Sequence, residues 1–272
     1  MALAGPLLLV GCGKMGGALL RGWLAGGLPA REAVVVEPNA AALGELAALG
    51  VVAVADAAAV PPAMAPRVVV LAVKPQMMDG VLPALRRFVR PETAFLSIAA
   101  GKTIAALTDR LGAGVAVVRA MPNTPAAVGR GIAVACASPA VTAAQRGLCT
   151  ALLAAVGEVA WVEDEALLDP VTALSGGGPA YVFLLIECLA QAGVEAGLPA
   201  DLAMRLARAT VAGSGELARL SDEPAATLRR NVTSPAGTTL EALKILMAPD
   251  GLQALMTRAI AAATRRSREL AT

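Results

Sequence analysis

The residues best suited to chemistry fall in six short stretches. The first is Gly11-Cys12-Gly13-Lys14-Met15-Gly16, which follows the aliphatic run Leu7-Leu8-Leu9-Val10 and precedes a helix-forming segment of Ala, Leu and Arg. In this strand, G-x-G-x-x-G, helix order, Gly11 permits a tight turn, Gly13 lets a pyrophosphate approach the backbone and Gly16 allows close helix packing. The helix start adds free N–H groups and a positive dipole, which favour phosphate. The competing reading is a glycine-rich turn in an Ala- and Gly-rich chain. The flanking strand and helix favour a dinucleotide site that includes Cys12, Lys14 and Met15.

Glu37 closes the second aliphatic run, about 20 residues beyond the glycines, where an acid binds the adenosine ribose hydroxyls. A 2′-phosphate beside it would be repelled, and Arg31 sits at the wrong end of the strand to compensate, so NADH is favoured over NADPH. A solvated loop acid is the alternative. Ala72-Val73-Lys74-Pro75 and Ala99-Ala100-Gly101 end the fourth and fifth runs, at the sheet edge where ligands of open α/β sheets bind. Lys74 is a candidate catalytic cation or a contact to a cofactor ribose; it is one of only four lysines, although an ordinary solvated lysine would look the same. Ala72, Val73, Pro75 and Ala100 would border the dinucleotide.

Met121-Pro122-Asn123-Thr124-Pro125 fixes an Asn-Thr pair between prolines. Asn123 and Thr124 carry the donors and acceptors to hold a nicotinamide amide, or else form a plain turn. Ser175-Gly176-Gly177-Gly178 stands directly before a helix start and lets a backbone or ligand approach closely. In Thr233-Ser234-Pro235-Ala236-Gly237-Thr238-Thr239-Leu240-Glu241, Thr238 and Glu241 match a capping box, which predicts a helix N-terminus. The N–H groups of Gly237, Thr238 and Thr239, with the hydroxyls of Ser234 and Thr239, would then cradle a small carboxylate. An N-cap without a ligand has the same signature.

These stretches need elements to hold them. Leu7 to Val10, Ala33 to Val36, Val51 to Val54, Val68 to Val73, Ala94 to Ile98 and Val115 to Arg119 read as buried parallel strands. Gly16 to Ala25, Ala40 to Leu49, Met77 to Phe88 and Thr103 to Leu111 are long enough for crossover helices. This predicts an α/β, Rossmann-type doubly wound sheet. After Glu158 to Val162 only helical segments remain: Glu165 to Leu174, Pro179 to Ala196, Pro199 to Leu220, Pro224 to Val232, Thr238 to Met247 and Gly251 to Leu270. The expected domains are therefore 1–162, binding the dinucleotide, and 163–272, all-helical, for dimerisation and substrate binding.

Composition narrows the function. The 272 residues exceed the roughly 100 to 200 usual for one domain, in keeping with two. Charged residues are 16% and aromatics 2%, so burial rests on Ala, Val and Leu, which favours close helix contacts and a homo-oligomer. A net charge of +2, with basic runs that no aromatic residue interleaves, argues against nucleic acid. The chain has no histidine, which excludes a Ser-His-Asp triad, a Cys-His pair and histidine metal ligands; no metal is expected. Cys12, Cys136, Cys149 and Cys188 lack C-x-x-C spacing and read as small buried hydrophobes of a reducing compartment. Met1 to Val10 lacks the basic region of a signal peptide. Glu187, Gln191 and Glu195 interrupt the apolar run Ala180 to Leu198, which reads as too broken to span a bilayer. A cytoplasmic protein that does not enter membranes is expected.

Taken together, the stretches resemble pyrroline-5-carboxylate reductase. The likeness runs along essentially the whole chain, through G-x-G-x-M-G at Gly11, A-V-K-P at Ala72, A-A-G at Ala99, M-P-N-T-P at Met121, S-G-x-G-P-A-Y at Ser175 and T-S-P-x-G-T-T at Thr233. It implies a Rossmann domain joined to a helical domain that interlocks with a partner's as a homodimer, with dimers ringing up into decamers. It also implies that Ser234, Gly237 and Thr238 bind the carboxylate of 1-pyrroline-5-carboxylate, that the Thr239 hydroxyl faces the ring nitrogen as the catalytic contact, and that Ser175 lies beside the substrate. Gly177 stands where the family has serine and Ala236 where it has glycine. Ala236 is expected to add a Cβ to the cradle and to restrict its backbone to negative φ.

The reaction so implied is hydride transfer from NADPH or NADH to the C=N carbon, giving L-proline. The electrophile arrives protonated, so no histidine is needed. Two other readings share the first half of the chain. A hydroxyacid or imine reductase of this plan would place a lysine or aspartate where Ser175-Gly176-Gly177-Gly178 stands. A dinucleotide-sensing protein without turnover would need neither Ser234 nor Thr239.

Overall fold

The computed structural model describes residues 5–39, 41 and 43–271. Its sheet has eight strands, β1 (Leu7–Val10), β2 (Ala33–Val36), β3 (Val52–Val54), β4 (Val68–Leu71), β5 (Ala94–Ser97), β6 (Ala116–Met121), β7 (Gly131–Ala137) and β8 (Gly157–Trp161), in the order 3-2-1-4-5-6-7-8. The first six run parallel, while β7 pairs antiparallel with β6 and parallel with β8.

Alternation along each strand divides the core between two faces. Leu7, Leu9, Val68, Val70 and Leu96 pack on one side with Leu19, Leu20 and Trp23 of α1 (Lys14–Ala25) and Leu148, Leu152 and Leu153. Leu8, Val10, Val69, Leu71 and Phe95 pack on the other with Met78, Leu82 and Leu85 of α2 (Met78–Leu85) and with Leu107 and Leu111 of α3 (Ile104–Leu111). Thr103 caps α3 by accepting the Ala106 N–H at 3.1 Å. The sheet is thus covered on both faces, which explains its continuous aliphatic strands.

Three departures from expectation are local. The helix read over Ala40 to Leu49 is a 3-10 turn at Gly44–Leu49, with residues 40 and 42 outside the described part; Gly44, at φ +48°, cannot lie in an α-helix. The strand β7 and the helix α4 (Ala143–Ala154), capped by a Thr142/Gln145 capping box, stand where no element was expected. The antiparallel pairing of β7 with β6 also breaks the all-parallel reading of the sheet.

The chain divides into two compact units, Met1–Gly176 with Ala263–Thr272, and Gly177–Ala262. In the first, the single turn α5 (Leu168–Val171) and a π-helical stretch, Thr172–Gly176, follow the last strand. The second holds α6 (Gly178–Glu195), α7 (Ala200–Leu220), α8 (Ala225–Asn231), α9 (Thr238–Leu246) and the first part of α10 (Leu252–Leu270). Within it α6 and α7 form an antiparallel pair around Ala190, Ala203 and Ala207, turned by Gly197 at φ +98°. Most of its large apolar side chains stay uncovered by the chain itself, among them Phe183 at 60% and Leu184 at 57% exposure. The stretch Glu165–Glu195 has the length and composition of a membrane-crossing helix, despite Glu187, Gln191 and Glu195; Gln191 and Glu195 satisfy one another through a 3.0 Å hydrogen bond.

Candidate active site

The glycine turn fits a dinucleotide. Gly11 takes φ +95°, and a Cβ there would meet the Ala72 carbonyl oxygen at 2.8 Å. A Cβ on Gly16 would run into the Gly11 carbonyl oxygen. Both glycines are therefore demanded by the fold. Gly13 is different: its φ is −68°, and nothing lies within 4 Å of where its Cβ would be. Neither strain nor packing requires glycine at that point, whereas a pyrophosphate laid against the backbone would. Gly13 is also the N-cap of α1 and supplies no side chain to the first turn, leaving its N–H groups for an anion.

Beside this turn lies a cavity of about 350 Å³ whose wall includes Gly11, Gly13, Glu37, Ala72, Val73 and Lys74. Asp56 lines it too, a residue the sequence reading missed. It follows β3 at the same sheet edge as Glu37 follows β2, so the strand-end position was the available signal. Its Oδ1 accepts the Ala59 N–H at 2.9 Å. Glu37 is fastened more firmly, accepting the Cys12 N–H at 2.8 Å through Oε2 and the Asn39 N–H at 2.9 Å through Oε1. Burial raises the Cys12 thiol pKa, and the Glu37 charge raises it further against a smaller opposing effect of Arg21. Cys12 is thus a neutral thiol at physiological pH. Cys136 and Cys149 are buried as well, but Cys188 is exposed on α6, contrary to the reading of four buried thiols.

Pro75 and Ala100 line a second cavity, of about 290 Å³, with Gly101, Lys102, Thr172 and Ser267. Lys14 is exposed and Met15 packs on the core behind the turn. Thr124 is exposed at the start of a 3-10 turn, Thr124–Val128. Asn123 does not stand free for a nicotinamide amide. Its Oδ1 accepts the Ile132 N–H at 3.0 Å and its Nδ2 donates to Ser175 Oγ at 3.2 Å.

In the second unit, Ser234, Gly237, Thr238 and Thr239 gather at one helix start. The helix begins at Thr238 as expected, but with Gly237 as N-cap and no side-chain cap. No capping box forms, because the N-cap is a glycine and not Thr238; Glu241 accepts from Lys244 at 2.6 Å. The Gly237 N–H is spent on the Ser234 carbonyl at 3.1 Å, which removes it from the expected cradle. The N–H groups of Thr238 and Thr239 remain, being those an α-helix leaves without an internal acceptor. A Cβ on Gly237 would strike Ser234 Oγ, so the serine hydroxyl lies directly against the glycine. Ala236 overturns the negative-φ expectation: it adopts φ +57°, the left-handed conformation that glycine takes without strain. The turn is preserved and the alanine accommodates to it.

Comparison with known proteins gives a consistent picture. Residues 165–270 match the family model described as pyrroline-5-carboxylate reductase dimerisation, and residues 7–101 match NADP oxidoreductase coenzyme F420-dependent. A pyrroline-5-carboxylate reductase of Pseudomonas aeruginosa is 42% identical over 265 residues, spanning 97% of this chain and 96% of its own. The structure of a pyrroline-5-carboxylate reductase from Coxiella burnetii superposes with a TM-score of 0.92 at 33% identity, covering 98% of this chain and 99% of its own. That of the Plasmodium falciparum pyrroline carboxylate reductase with NADP bound does so with a TM-score of 0.81 at 28% identity, covering 100% of both.

Proposed function

The chain belongs to the pyrroline-5-carboxylate reductase family, and from that premise we propose how its residues share the reaction. It is an NAD(P)H-dependent oxidoreductase that reduces 1-pyrroline-5-carboxylate to L-proline, the last step of proline biosynthesis. When bound, the reduced nicotinamide supplies the hydride.

Gly11 to Gly16 and the start of α1 hold the pyrophosphate, with Ala72 to Pro75, Ala100 and Thr124 along the rest of the dinucleotide. Lys74 contacts a ribose. Glu37 and Asp56 put two carboxylates on the wall of the adjoining cavity, which supports ribose hydroxyls over a 2′-phosphate and hence NADH. Ser234 and the amides of Thr238 and Thr239 hold the substrate carboxylate, while the Thr239 hydroxyl orients the ring nitrogen. Because the cyclic imine binds already protonated, the protein has to position and not to donate a proton. Positioning supplies on the order of 7 to 11 kcal/mol in favourable intramolecular models, enough to dispense with a strong general acid. A cytoplasmic homodimer, with dimers assembling into decamers, completes the reading; the uncovered apolar side chains of α6 support the dimer.

The observation that carries this reading is the open flank of Gly13 at the start of α1, next to the cavity walled by Glu37. Mixing purified protein with pyrroline-5-carboxylate and each reduced nicotinamide, and following nicotinamide absorbance, tests it. Turnover is expected with both and faster with NADH; no turnover with either overturns it.

A further inference from the structure

We propose that Asn123 is a positioning residue, which presents the Ser175 hydroxyl as a hydrogen-bond donor to the bound substrate. The inference rests on the proposed reductase function and on the place beside the substrate that the family resemblance implies for Ser175.

Both ends of the Asn123 carboxamide are committed. The Ile132 N–H, at the start of β7, fixes Oδ1 as acceptor at 3.0 Å, and this determines which way round the amide stands. Nδ2 is thereby turned to Ser175 Oγ, at 3.2 Å. A hydroxyl that accepts from an amide keeps its own hydrogen for donation. Among the described residues no acceptor takes that hydrogen.

The local backbone serves the same end. Ser175 lies in the π-helical stretch Thr172–Gly176, a distortion that appears mostly as a short bulge and often at functional sites. The next residue, Gly176, is packed so closely on Met121 that a Cβ would collide with the methionine methyl group. Met121, the last residue of β6, thus packs against the residue that follows the serine, while Asn123 sets the polarity of the serine hydroxyl. The substrate carboxylate is the complementary acceptor.

Asn123→Asp tests the polarity. The aspartate can still accept from Ile132, but it accepts from Ser175 as well and draws the serine hydrogen away from the substrate. We expect Asn123→Asp and Ser175→Ala each to lower kcat/KM for pyrroline-5-carboxylate about tenfold, the size of one hydrogen bond, with the KM for reduced dinucleotide unchanged. Placed on Ser175→Ala, Asn123→Asp should add less than about a threefold loss, and Ser175→Thr should restore activity. Losses that multiply in the double variant overturn the proposal, as does a change confined to the dinucleotide KM. If the aspartate variant fails to fold, the same cycle run with Asn123→Ala decides between these outcomes. Wild-type kinetics for Ser175→Ala would remove Ser175 from the substrate and end the proposal, while leaving the reductase activity itself untouched.

Discussion

Glu37 Oε2 accepts the Cys12 amide proton at 2.8 Å, so the acid that ends β2 is bolted to the glycine turn it adjoins. Together with the Asn39 amide, this contact holds its charge on the wall of the cavity. Glu37→Gln keeps an acceptor for Cys12 but removes the charge. The ratio of kcat/KM for NADPH to that for NADH should rise about tenfold, the effect of roughly 1.4 kcal/mol. An unchanged ratio would move the determinant of cofactor choice elsewhere.

Ala236 holds a left-handed backbone at φ +57°, which costs an L-residue with a Cβ roughly 1 to 2 kcal/mol. Part of this is offset by the greater freedom glycine has when unfolded. Ala236→Gly should therefore stabilise the protein by about 0.5 to 1 kcal/mol in denaturant unfolding. Since the turn is already in the glycine conformation, KM for the substrate should stay within about twofold. Destabilisation would show that the alanine methyl makes a packing contribution larger than its strain.

Thr239→Val removes the hydroxyl assigned to the ring nitrogen and keeps the shape. KM for pyrroline-5-carboxylate should rise and kcat should fall, together on the order of tenfold to a hundredfold in kcat/KM. Reduced dinucleotide should bind as before, measured by nicotinamide fluorescence. Wild-type kinetics would remove Thr239 from the nitrogen.

Burial pushes the Cys149 thiol up to about 12 from 9.0, so the fold favours its neutral form. Below pH 9 both folded and unfolded chains keep the proton, and stability from this group is intact. Above it the unfolded chain loses the proton first, and stability declines until the folded thiol itself titrates. Denaturation at pH 9 and pH 10 should show about 1 kcal/mol of loss from this source, absent in Cys149→Ala. Equal slopes in both proteins would refute it.

The parts of the fold legible in the sequence are those with contrast. The strands β1, β2 and β4 are unbroken aliphatic runs, buried on both faces, and the glycine turn announces itself by its neighbours. Contrast fails where alanine dominates. Gly131-Ile132-Ala133-Val134-Ala135-Cys136-Ala137 carries no branched aliphatic side chain beyond Ile132 and Val134 and has no strand signature, yet it forms β7. Ala40 to Leu49 has the composition of a helix, but one positive φ at Gly44 decides otherwise. At the candidate site the residue types are legible and their partners are not. That the Asn123 amide is engaged by Ile132 and Ser175 depends on contacts 9 and 52 residues away, which no local pattern encodes. Conversely, the expectation for Ala236 fails because a side chain's preference is not a prohibition, and the surrounding turn overrides it.

The reversal of direction between β6 and β7 changes what the rim of the sheet can offer. Parallel strands all finish at that rim and present only their closing carbonyls and the loops beyond. A strand running the other way begins there, and contributes a fresh amide, that of Ile132, at the place where ligands of such sheets are received. The connection from Met121 to Gly131 is consequently anchored by a strand at either end, as an arch on two abutments, and can hold its asparagine still without any crossover helix.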